Sequence, residues 1–142
     1  MIAATDPVEL DDRWILNLRG SRIAKISVDF RLTLTFDSGW EVTLEGPVWL
    51  SSGPLHARLS QRLDPQTQGV AADHHLRGAE VRSAVAFKTG SLRMVFDTGT
   101  HLRCPADPSI EAWRVTRPQG RQYISLPNGG VAVRTDQHDA NG

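Results

Sequence analysis

The chain has 142 residues, with 16 basic and 16 acidic side chains and a single cysteine, Cys104. That length suits one ordinary domain, which buries roughly two thirds of its unfolded surface and so needs neither disulfide nor metal. The cancelled charge removes the electrostatic case for nucleic acid or an anionic membrane as partner, and no run approaches the roughly 20 apolar residues of a membrane span.

Acidic residues begin at Asp6, too early for the apolar core of a secretory signal, and the lone cysteine gives no sign of an oxidising compartment, so the expected location is cytoplasmic. The basic residues are 14 Arg and 2 Lys. A division at residue 70 leaves 7 basic and 9 acidic residues before it, and 9 and 7 after it. This split of −2 and +2 marks no charged face.

Residues 1–12 read as a flexible N-terminus, followed by one β-rich domain over 13–134. The domain's most informative feature is an internal repeat, with units at about 18–47 and 76–105. Leu18-Arg19-Gly20-Ser21-Arg22-Ile23 corresponds to Leu76-Arg77-Gly78-Ala79-Glu80-Val81 at an offset of 58. Leu32-Thr33-Leu34-Thr35-Phe36-Asp37-Ser38-Gly39 corresponds to Leu92-Arg93-Met94-Val95-Phe96-Asp97-Thr98-Gly99 at an offset of 60. Each copy predicts three strands. In the first, Ile23, Ile26 and Val28 mark one apolar run. Phe30, Leu32, Leu34 and Phe36 then alternate with polar residues, and Trp40, Val42 and Leu44 do so again after an Asp-Ser-Gly turn. The second copy repeats this with Val81, Val85 and Phe87, then Leu92, Met94 and Phe96, then Leu102 and Cys104. Cys104 falls in register with Leu44, which makes it a small buried hydrophobe.

Between the copies, Ser52-Gly53-Pro54 resembles a helix start, and Leu55, Leu59 and Leu63 recur at the spacing of one helical face. Asp64-Pro65 resembles a second start, and Val70 to Leu76 a short helix closed by Gly78. After the second copy, Glu111–Thr116, Gln122–Leu126 and Val131–Arg134 read as strands. The last two form a C-terminal hairpin about Pro127-Asn128-Gly129-Gly130. Residues 135–142 read as a disordered tail. The expected fold is mainly β, with eight or nine short strands: two duplicated antiparallel meanders, one per sheet, in a sandwich or partly open barrel, and one or two short helices between them.

The sequence offers no assembled chemistry. His74, His75, His101 and Cys104 match no zinc spacing, and His101 and Cys104 would face opposite sides of a strand, so no metal or other cofactor is expected. Asp37 and Asp97 occupy matching turns, a role that accounts for both. No nucleophile elbow or phosphate loop is present. The four tryptophans stand out. Trp40 reads as core, whereas Trp49, between Pro47 and Ser51, is a candidate for the mouth of a pocket between the sheets or for an interface. Alternation in Ile110-Glu111-Ala112-Trp113-Arg114-Val115 puts Glu111 and Trp113 on one face. They then form either a buried structural pair completed by an Arg, or the lining of a pocket between the sheets.

Leu-Arg-Gly before an alternating strand, Gly90-Ser91-Leu92-Arg93-Met94-Val95-Phe96-Asp97-Thr98-Gly99, Glu111-Ala112-Trp113, and Ser125-Leu126-Pro127-Asn128-Gly129-Gly130-Val131-Ala132-Val133 together resemble a family of small uncharacterised actinobacterial proteins. The resemblance spans about residues 13–134 and departs from the family pattern at Asn128 and Arg134. It implies no known activity and no catalytic residue, and it suggests an immunity-like role only by association. The expected function is a non-enzymatic binding module that takes a protein partner or a second copy of itself, with neither nucleic acid nor membrane as partner. The alternative is a small-molecule-binding or hydrolytic β domain around Glu111 and Trp113.

Overall fold

A computed structural model of the chain describes residues 7–52 and 59–135, and within them thirteen strands and one kinked helix. Two short strands lead in, β1 (Val8–Glu9) and β2 (Arg13–Ile15). β1 lies within the stretch expected to be flexible, and it pairs with β2 through Val8 opposite Ile15. The first copy then supplies β3 (Ile23–Asp29), β4 (Arg31–Phe36) and β5 (Glu41–Leu44), and the chain continues into β6 (Val48–Ser52) and β7 (Leu59–Leu63). Helix α1 (Pro65–Leu76) leads to the second copy, β8 (Val81–Phe87), β9 (Leu92–Phe96) and β10 (His101–Cys104). The last strands are β11 (Trp113–Thr116), β12 (Gln122–Ser125) and β13 (Val131–Arg134).

The strands form two antiparallel sheets, ordered β1-β2-β8-β9-β10-β6-β7 and β13-β12-β11-β5-β4-β3. Each meander occupies one sheet, as its alternation predicts. The fourth strand of each copy crosses over: β6 leaves the first meander to pair with β10, and β11 leaves the second to pair with β5. The two copies are thereby interlocked in one sandwich.

Matched hydrogen bonds relate the copies by a pseudo-two-fold axis at an antiparallel bridge between Arg22 and Glu80. Ile23 N donates to Ala79 O at 2.9 Å, and Val81 N to Ser21 O at 2.8 Å, each the image of the other. The carboxylate of Asp37 accepts from Arg22 N at 3.0 Å, as that of Asp97 does from Glu80 N. Both turn aspartates therefore hold the two-fold junction. Register shifts also match, between Ile23 and Lys25 in one copy and between Val81 and Ser83 in the other.

Buried side chains follow the same symmetry. Leu32, Leu34, Phe36, Val42 and Leu44 pack between the sheets with their counterparts Leu92, Met94, Phe96, Leu102 and Cys104, and all ten are essentially inaccessible. Trp14 closes one end of this core, edge-on to Tyr123 with ring centroids 5.7 Å apart.

The linker corrects the sequence reading. Leu59–Leu63 is a strand, paired with β6 from Ser52 opposite Leu59 to Val48 opposite Leu63. A spacing of four keeps residues on one side of a helix and, being even, on one side of a strand as well, so the leucines carried no distinction between the two. The helix start read at Gly53-Pro54, and Leu55 with it, lie outside the described residues, as do residues 1–6 and 136–142. α1 begins where Asp64-Pro65 predicts, with the Asp64 carboxylate accepting from Gln66 N at 3.0 Å and Pro65 in the first turn. Non-helical torsions at Gln68 divide it into two short pieces. The strand count exceeds eight or nine because β1, β2, β6 and β7, of two to five residues each, carry too few alternating residues to be read as strands. Among the described residues, no helix is long and apolar enough to cross a membrane.

Candidate binding face

The strand period that buries Leu92, Met94, Leu102, Val48 and Leu50 turns their neighbours to the outer surface of the seven-stranded sheet. Cross-strand pairing aligns that side of the sheet in a continuous row, in which only Val85 is buried: Val8, Ile15, Val85, Arg93, Arg103, Trp49, Arg62. A second row beside it runs Ser83, Val95, His101, Ser51, Ser60. Neither row contains an acidic residue.

Arg62, Arg93 and Arg103 are exposed, and Trp49 is half-buried among them. The Arg103 guanidinium lies 5.7 Å from the Trp49 ring centroid. Nearby, Phe87 is approached by two guanidinium groups, Arg13 at 4.9 Å and Arg93 at 5.3 Å. Such contacts hold an otherwise mobile cation against an aromatic ring. Arg13 has its own counter-ion, since its Nε and Nη2 donate to the Asp12 carboxylate at 3.0 and 2.9 Å. That hydrogen bond holds the Asp12 carboxyl below its ordinary value. No described carboxylate forms an ion pair with Arg62, Arg93 or Arg103. A shallow cavity of about 200 Å³ opens among Trp49, Ser51, Ser60, Arg93, His101 and Arg103.

The sequence candidates fare differently. Trp49 lies on this face, on the strand next to its β7 edge and between Arg103 and Arg62. Glu111 and Trp113 have different surroundings. Trp113 is fully buried, and its indole Nε1 donates to Gly90 O at 2.8 Å. Glu111 is partly exposed and accepts from Arg114 Nη2 at 3.3 Å. Strand β11 begins at Trp113, and alternation fails just before it: Ala112 is buried as well, its carbonyl accepting from Glu45 N and Gly46 N. Neither Glu111 nor Trp113 lines the cavity beside Trp49.

Two larger clefts, of about 310 and 250 Å³, contain His75 with Thr100 and Asn17 with Trp40 respectively. These residues are repeat counterparts, so duplication accounts for both clefts. His101 faces outward and Cys104 inward, as their spacing predicts, and His56 and His138 lie outside the described residues. No group of three metal-ligating side chains gathers among the described residues.

Burial, with a smaller contribution from the Asp107 charge, pushes the Cys104 thiol up from 9.0 to about 12. The folded state therefore holds this proton through pH 9 to 12, while the unfolded state releases it. Stability carried by this thiol is complete below pH 9 and falls as pH rises towards 12. At pH 8 Cys104 is expected to resist a disulfide-exchange reagent in the folded protein and to react fully in denaturant. Comparable rates in both states would contradict its buried placement.

Sequence reading missed Arg62, Arg93 and Arg103, although the repeat carried a signal. Arg93 and Arg103 stand where the first copy has Thr33 and Thr43. The aligned copies thus differ in charge on their outward sides.

Residues 14–135 match the model of a family of unknown function, DUF6188. No curated protein and no solved structure matches the chain.

Proposed function

The chain belongs to that family of unknown function, and we propose from its own geometry that it is a non-enzymatic binding module for a protein partner, docked on the outer face of the seven-stranded sheet. One observation carries this reading: Trp49 sits half-buried in the outer row, directly between Arg103 and Arg62. Trp and Arg are the residue types most enriched where single side chains dominate binding. An open sheet face with such a cluster serves recognition better than catalysis, which needs reacting groups gathered in a protected pocket. Two copies meeting through this face would oppose arginines to arginines, so a different protein suits it better than self-association. An immunity-like role would be one instance of such binding.

The test is site-specific photo-crosslinking from Ser60 in the native host, identification of the adduct, and titration of the purified partner. Trp49→Ala is expected to weaken that binding at least about 30-fold, the effect of losing roughly 2 kcal/mol at a dominant contact. Failure to form any adduct, or an affinity unchanged by Trp49→Ala, would refute the assignment.

A further inference from the structure

Resting on the docking face just described, we propose that its partner presents an acidic, extended protein segment laid across strands β9, β10, β6 and β7, with carboxylates meeting Arg93, Arg103 and Arg62. The duplicated fold supplies an internal comparison. The equivalent row on the other sheet reads Ser27, Thr33, Thr43, Arg114, Ile124, Ala132. It contains one cation, Arg114, already paired with Glu111. Threonine thus satisfies the sheet at both positions where the second copy has arginine, and the architecture does not need the guanidinium groups.

Their placement is unfavourable in isolation. Arg93 and Arg103 are direct cross-strand partners in β9 and β10, where like charges repel. A ligand that brings negative charge relieves that repulsion.

The chemistry of the ligand follows from the same geometry. Guanidinium forks held against aromatic rings are suited to bidentate capture of carboxylates. Phe87 and Trp49 already carry arginines over their rings, so neither offers a clear platform for base stacking, which single-stranded nucleic acid uses. Arg93 and Arg62 lie three strand spacings apart, about 14 Å. In an extended chain, alternate residues on one side recur about every 7 Å, so acidic residues at i, i+2 and i+4 span that distance.

The full chain would be titrated with a fluorescein-labelled peptide of alternating Glu and Ser, with its Lys-Ser counterpart, and with a single-stranded oligonucleotide of equal length. The Glu-Ser peptide is expected to bind selectively and to weaken as salt is added. The double substitution Arg93→Thr with Arg103→Thr, which copies the first repeat, should lower that affinity at least tenfold without lowering the melting temperature. Arg31→Thr, which removes an exposed cation from the other sheet, should leave it unchanged. Arg93→Glu provides an independent check, because it sets a carboxylate opposite Arg103: melting temperature should rise while peptide binding is lost.

Equal binding of the Glu and Lys peptides, an affinity indifferent to the Thr pair, or tighter binding of the oligonucleotide would each overturn the proposal. If the Glu-Ser peptide fails while Trp49→Ala still abolishes binding of the crosslinked partner, the docking face stands and its acidic ligand is excluded.

Discussion

Replacing Gly90 with alanine should lower the unfolding free energy by about 3 kcal/mol, as backbone strain and overcrowding combine. Gly90 has φ +110°, a conformation that L side chains rarely adopt. A Cβ there would lie 2.8 Å from the Ala106 Cβ, 3.1 Å from Gly130 N and 3.3 Å from Gly129 Cα. Two of these neighbours are backbone atoms and cannot swing aside. The position also ties the sheets together. Gly90 O accepts from Trp113 Nε1 and Ser125 Oγ, each at 2.8 Å, and the adjacent Thr89 O accepts from Gly130 N at 3.0 Å. The β8–β9 turn of one sheet is thereby clamped to β11, β12 and the C-terminal hairpin of the other. Gly99→Ala is the matched control, with φ +88° but open space around a new Cβ. It should cost only the conformational part, about 1 kcal/mol. Urea unfolding of both variants measures the difference, and equal losses would show that crowding at Gly90 is not felt.

Trp113→Ala is expected to cost 3–5 kcal/mol, the range for emptying a large buried aromatic site. Trp113 is 1% exposed and belongs to the core cluster. Trp113→Phe should cost roughly half as much. It retains most of the apolar volume and loses the indole N–H, while Ser125 Oγ still satisfies the Gly90 carbonyl. Since a domain has only about 5–15 kcal/mol of total stability, the Ala variant should be unfolded or nearly so at 37 °C. Denaturant titration with circular dichroism reads both variants. A loss below about 1 kcal/mol for Trp113→Ala would remove the indole from its structural role.

These two effects converge on one carbonyl, which explains why Trp113 reads ambiguously in the sequence. Its aromatic character and strand phase mark it as core. Its hydrogen-bond acceptor lies 23 residues earlier in a turn of the opposite sheet, which no local pattern reveals. Glu111 does not share the burial of Trp113 for a related reason. Period-two alternation holds only along a paired strand, and β11 starts at Trp113 because Ala112 O is engaged by Glu45 N and Gly46 N of the incoming chain.

The proposed binding face shows a similar division. Trp49 was legible as a candidate from its flanking Pro and Ser residues. Arg62, Arg93 and Arg103 were hidden by whole-chain arithmetic, since equal numbers of acidic and basic residues suggest no charged surface. Charge balance over the chain says nothing about balance over one side of one sheet. The mismatch of Thr33 with Arg93 and Thr43 with Arg103 was visible in the repeat, and it acquired meaning only once the strands carrying them were neighbours.

The order of residues by itself determined the local architecture: two copies of a three-stranded meander, the turns that end their strands, the side of each strand that is buried, and the capped start of α1. Backbone torsions and short-range alternation act over a few residues, so they are written in the local pattern. Tertiary structure alone decided the crossing of β6 and β11 between sheets, the choice of strand over helix for Leu59–Leu63, and the alignment of three arginines about Trp49. Each depends on which distant strand supplies the neighbouring hydrogen bonds, and that partner is selected by packing the two meanders against one another.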